Sequence, residues 1–124
     1  MTNPAAERYL TERVMTASPA ELTGMLFDAA VGAVKSAVRL HEADQHVLAT
    51  PRLIKAQEIV LELRFSLNKE AGPLADRLEQ LYAYTYGLLV EANVKRNTAA
   101  AREALQVLEP LQLAWRESCL QVAA

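Results

Sequence analysis

Cysteine is nearly absent from this 124-residue chain: Cys119 stands alone, so no disulfide can form within it, which fits a reducing compartment. Glycine occurs four times, and no glycine-rich phosphate loop is present. With Ala, Leu, Glu, Arg and Gln plentiful, that scarcity makes helix the default reading. No charge of one sign dominates, since 13 Lys and Arg face 15 Asp and Glu for a net −2. Without a basic stripe, neither nucleic acid nor an anionic membrane is expected as a partner. Apolar stretches such as Ala29–Val34 fall far short of the roughly 20 residues that span a bilayer. The N-terminus carries Glu7, Arg8, Glu12 and Arg13 with no apolar core, so no signal peptide is expected there. What remains is a folded balance, 52% hydrophobic and 23% charged, in a length suited to one core. A single cytoplasmic domain is expected.

Catalytic and metal-binding chemistry is also missing. His41 and His46 flank Asp44 at the first loop, and they read as solvated loop histidines. A metal site would need about four ligands with better geometry than one loop offers. No Glu-x-x-His pair of the kind that builds metal sites in bundles occurs. Ser18 resembles a nucleophile only until its capping role is noticed, and Cys119 reads as core packing. No catalytic residue, metal site or cofactor is expected.

What is present is clear helix punctuation. Ser18-Pro19-Ala20-Glu21 is a capping box with proline at the first helical position, opening a helix to about Glu42. Thr50-Pro51 repeats the device for a second helix to about Asn68, and Gly72-Pro73 opens a third to about Lys95. Asn97 or Thr98 caps a fourth, ending near Leu120, with a kink but no reversal expected at Pro110. Gly24 and Gly32 are read as sites of close helix approach. Short loops make successive helices antiparallel neighbours, predicting an all-α, up-down-up-down four-helix bundle over residues 18–124. Residues 1–17 hold too few apolar positions for a full helix and read as a flexible N-terminal capping segment.

The apolar surface exceeds what such a bundle needs. Leu53, Ala56, Ile59, Val60, Leu63 and Leu67 form one stripe of the second helix. Ile54, Leu61 and Phe65 lie on another face at about 100° per residue. Polar residues stand between the two, so the second stripe reads as a partner-facing groove. In the third helix, Leu74, Leu78, Leu81, Leu88 and Ala92 form the expected core line, beside Tyr82, Tyr86, Val90 and Asn93. The first helix has an expected core line of Leu22, Met25, Leu26, Ala29, Ala33 and Leu40. Its second line, Phe27, Val31, Val34 and Val38, fits either core or interface. The same stripes would also suit a homodimer.

The residues resemble a family. Val14-Met15-Thr16-Ala17-Ser18-Pro19-Ala20-Glu21-Leu22 and Met25-Leu26-Phe27-Asp28 resemble the opening of the flagellar secretion chaperones called FliS. Lys55–Leu63 is similar to that family's second helix. Leu81-Tyr82-Ala83-Tyr84, Ala92-Asn93 and Ala114-Trp115 follow in the family's order. Departures are a single glycine in Ala71-Gly72, Arg77 for an asparagine, Ala29 for a glycine and Asn97 for an aspartate.

The resemblance implies an export chaperone that binds the disordered C-terminal segment of flagellin in the cytoplasm. It implies that binding prevents premature polymerisation and assists delivery to the type III export apparatus, where FlhA is the gate protein. The client-binding residues are then expected to be Ile54, Gln57, Leu61, Phe65, Tyr82, Tyr86 and Asn93. Gln57 and Asn93 would bond the client's backbone amides. Tyr9 and Val14 are expected to cover the groove when the client is away. A weak homodimer or an adaptor for another secretion substrate is the alternative.

Overall fold

The computed structural model describes residues 3–123, with side chains described to residue 118. The Cys119 side chain lies outside them. Five α-helices follow one another: α1 Pro4–Thr16, α2 Pro19–Glu42, α3 His46–Phe65, α4 Pro73–Val94 and α5 Thr98–Ala123. A 3-10 turn, Lys69–Ala71, precedes α4, and no strand occurs among the described residues. None of the described helices is long and apolar enough to cross a membrane.

Most boundaries sit where the punctuation predicts. The Glu21 amide donates to Ser18 Oγ at 3.2 Å, and the Ala100 amide to Asn97 Oδ1 at 3.2 Å, closing the starts of α2 and α5. Pro73 takes the first position of α4 after Gly72, whose φ of 86° suits glycine. Helix α5 runs through Pro110 without reversing.

Two boundaries differ. Helix α3 begins at His46, a turn before Thr50-Pro51, and the Thr50 hydroxyl donates to the His46 carbonyl instead of capping. Pro51 removes the amide that the Val47 carbonyl would accept, but Val47 is exposed, so water can replace it. Residues 4–16 form a helix despite their few apolar positions. Asn3 Oδ1 accepts from the amides of Ala5 and Ala6, and Pro4 and Glu7 favour a first turn.

Around the core, α2 packs on α3 and α5, and α4 packs on the same two helices. Three ion pairs cross from α2 to α5: Asp28–Arg116, Lys35–Glu109 and Glu42–Arg102. Residue numbers rise along α2 as they fall along α5. Gln57–Leu89 and Arg64–Glu79 show the same opposition between α3 and α4.

The core corrects two expectations. On α2 the buried line is Phe27, Ala30, Val31, Val34, Ala37 and Val38, whereas Leu22, Met25, Leu26, Ala33 and Leu40 are half-buried and Ala29 is exposed. The alanines at positions 30 and 37 let neighbouring helices approach, so the valine line faces inward. On α4, Tyr82 and Leu89 face the core while Leu74 and Leu81 are exposed. Gly24 lies under the Trp115 ring, where a Cβ would sit 3.4 Å from Cδ1, but Gly32 faces no neighbour within 4 Å. Close approach explains the first glycine only.

Candidate functional site

The geometry of α3 decides which of its faces can meet a partner. Leu53, Ala56, Ile59, Val60 and Leu63 are buried, and Leu67 packs against them. About 60–100° further round, Gln57 and Arg64 reach across to α4. Beyond them, in an arc of about 40°, come Ile54, Leu61 and Phe65. Ile54 is 41% and Phe65 77% exposed, and Leu61 is half-buried. These three therefore overhang the seam between α3 and α4.

Helix α4 supplies the other wall. Glu79, Tyr86 and Asn93 repeat every seven residues, and Glu79 is the residue that meets Arg64. Tyr86, Val90 and Asn93 are half-buried on this side. Exposed and half-buried apolar side chains thus flank the polar bridges of the seam, and this strip is the candidate channel. Exposed Val47 lies one heptad before Ile54 and extends the channel. Reading Thr50 as the helix start hid it; the seven-residue spacing from Ile54 was the available signal.

Two of the expected binding residues have other roles. Tyr82 is 3% exposed, its ring 6.4 Å from that of Phe27 between centroids, so it is core and not wall. Burial disfavours its phenolate and pushes its pKa up to about 12. Gln57 donates its side-chain amide through Nε2 to the Leu89 carbonyl at 3.4 Å. That donor already serves the fold, which leaves the Gln57 carbonyl oxygen for a partner.

The N-terminal residues are a third departure. No residue of α1 is buried, and Tyr9 (62%) and Val14 (48%) are exposed with Leu10 and Met15. In this conformation they do not cover the channel. A second apolar opening lies on the other flank of α3. It is a cleft of about 350 Å³ lined by Ala33, Leu40, Leu48 and Pro51 with the stems of Arg52 and Lys55.

His41 is not a loop histidine. It sits on α2, 6% exposed, with Nδ1 3.4 Å from Thr98 Oγ1 and its ring 4.9 Å from that of His46. Desolvation lowers its pKa from the ordinary histidine value, and the charges of His46 and Arg96 lower it further. Among the described residues, no three His, Cys, Asp or Glu side chains are grouped to hold a metal ion.

Comparison with known proteins adds sequence evidence to this geometry. The family model described as Flagellar protein FliS matches residues 1–122. The flagellar secretion chaperone FliS of Bacillus subtilis is 34% identical over 110 residues, covering 89% of this chain and 82% of the relative. That of Salmonella typhimurium is 34% identical over 114 residues, covering 90% and 84%. A crystal structure of a flagellar chaperone from bacteria superposes with a TM-score of 0.75 at 23% identity, covering 94% of this chain and 96% of the other. At that identity the superposition speaks for the fold alone.

Proposed function

Because the chain belongs to the FliS family of flagellar secretion chaperones, a non-enzymatic family, we propose that its client is the C-terminal segment of flagellin. In this reading the protein acts in the cytoplasm, keeps flagellin from polymerising early and assists its delivery to the type III export apparatus through FlhA. Helices α2–α5 act as an antiparallel up-down-up-down bundle, a reading supported by the opposed residue numbering across α2–α5 and α3–α4.

The observation that carries the proposal is the exposed stripe of α3. Leaving Ile54 and Phe65 in water forgoes apolar burial worth about 25 cal/mol per Å². A client that covers the channel recovers it. An unfolded tail suits the shape, since a disordered chain can follow a long shallow surface while its ordering cost keeps binding reversible. Ile54, Leu61, Phe65 and Val47 take the client's apolar side chains, Tyr86 and Asn93 form the facing wall, and the Gln57 carbonyl oxygen accepts a backbone amide.

Leu61→Asp tests the channel directly. Calorimetric titration with a flagellin tail peptide should show a large loss of affinity with unchanged helix content. Undiminished affinity refutes the channel as the binding surface. Light scattering with and without the peptide separates this reading from a homodimer: the chaperone gives a 1:1 complex, whereas a dimer of the same mass in both samples favours the alternative.

A further inference from the structure

The turns Ala43–Gln45 and Lys95–Asn97 lie at the same end of the molecule. Each contains a non-glycine residue in the left-handed region, Asp44 at φ 58° and Arg96 at φ 51°. Such conformations carry a cost of order 1 kcal/mol and persist where surrounding contacts hold them. Main-chain bonds hold both turns, from the amides of Asp44 and Gln45 to the carbonyls of His41 and Leu40 and from the amide of Asn97 to the carbonyl of Ala92, while the side chain of His41 joins one turn to the other. It is buried on α2, its Nδ1 lies 3.4 Å from Thr98 Oγ1 at the start of α5, and its ring packs on His46 at the start of α3.

The hydrogen bonding fixes the chemistry of His46. Its Nε2 lies 3.0 Å from the Asp44 carboxylate, an acceptor, so Nε2–H donates and the neutral ring carries its lone pair on Nδ1. That Nδ1 is buried with no partner. The remaining charged groups at this end are engaged elsewhere or repel: Glu42 of α2 pairs with Arg102 of α5, Lys95 at the end of α4 pairs with Glu91, and Arg96 is a cation near His41. No carboxylate is bonded to His41 among the described residues. A proton gained by His41 would therefore meet the Arg96 cation with no bonded counter-ion.

We infer that His41, packed against the His46 ring, forms an acid-sensitive latch that holds the α2–α3 turn against the α4–α5 turn and releases both when His41 is protonated. Opening admits water to the His41 ring and lets its charge be solvated. The direction follows from proton uptake. The open form binds the proton more readily than the closed form, so closure is complete above the ordinary histidine range and lost as pH falls below it.

Amide hydrogen exchange, corrected for intrinsic chemical rates, tests the latch at pH 7.5 and 5.5. Peptides spanning 40–48 and 94–101 should lose protection together, by about tenfold for one linked proton over one pH unit of the titration. The turn at residues 66–72, at the other end of α3 and α4, should keep its value. In His41→Gln, which retains a polar group for Thr98, the pH dependence of both peptides should vanish. Unchanged protection in the wild type overturns the latch, as does full pH dependence in His41→Gln. Should that variant unfold, wild-type NMR decides. The His41 ring and the amides of Asp44 and Thr98 must then titrate with one midpoint, and separate midpoints refute the coupling.

Discussion

Gln57 of α3 donates its side-chain amide to the Leu89 carbonyl of α4 across the seam of the candidate channel, at 3.4 Å. A side chain that read as a partner's contact thus also ties two helices together. Gln57→Ala should lower stability by about 1 kcal/mol, the ordinary worth of such a bond. Urea denaturation measures it, and a change below about 0.3 kcal/mol would mean that the bond is idle.

The channel walls should separate stability from binding. Phe65→Ser removes a side chain that is largely in water and should alter unfolding free energy by no more than about 0.5 kcal/mol, whereas Ile54→Ser removes one that is 41% exposed and should cost about 1 kcal/mol. If a flagellin tail lies on them, its affinity should fall roughly fivefold to thirtyfold, as truncation of a contact worth about 1–2 kcal/mol does. Equal losses in folding and binding would assign these residues to the core.

Alkaline titration reports on Tyr82. Its pKa is raised to about 12 by burial, so the folded state favours the protonated phenol. The resulting stability is complete below pH 10, the ordinary tyrosine value, and is lost as pH rises through about 12. Absorbance of the phenolate should therefore include a step near pH 12 that belongs to Tyr82. In Tyr82→Phe that late step should be missing.

Trp115 closes the other end of the molecule. Its indole Nε1 donates to the Ala20 carbonyl at 2.8 Å, and its ring stands 6.1 Å from that of Phe27. Trp115→Phe keeps an aromatic ring but deletes the donor, and should cost about 1 kcal/mol. Hydrogen exchange should rise chiefly in the first turn of α2.

The contrast between caps and faces explains what sequence reading reached. Ser18, Asn97 and Pro73 act within a few residues of themselves, so their effects on α2, α5 and α4 are local and legible. Which stripe of α2 faces inward depends on the directions from which α3 and α5 arrive. Periodicity alone cannot rank Leu22, Leu26 and Leu40 against Val31, Val34 and Val38. The inward direction of Tyr82 is hidden from periodicity for the same reason. Helix α1 leaves no apolar periodicity in the sequence, because Asn3 and Pro4 start it and no residue of it is buried. The exposure of Ile54 and Phe65 was readable because polar residues isolate their stripe; His41 was misread because burial of a helix-end histidine depends on the distant Thr98.

The ion pairs between α2 and α5 carry a last consequence. Asp28, Lys35 and Glu42 alternate in sign at seven-residue intervals, and Arg116, Glu109 and Arg102 alternate oppositely. All six side chains are about half exposed, so each pair in place contributes at most about 1 kcal/mol. Their larger effect falls on misalignment. Displacing α5 by one heptad in one direction opposes Asp28 to Glu109 and Lys35 to Arg102; the other direction opposes Lys35 to Arg116 and Glu42 to Glu109. Apolar ridges alone would tolerate such a slide, whereas this alternating ladder penalises it in both directions and so sets the alignment of the two longest helices.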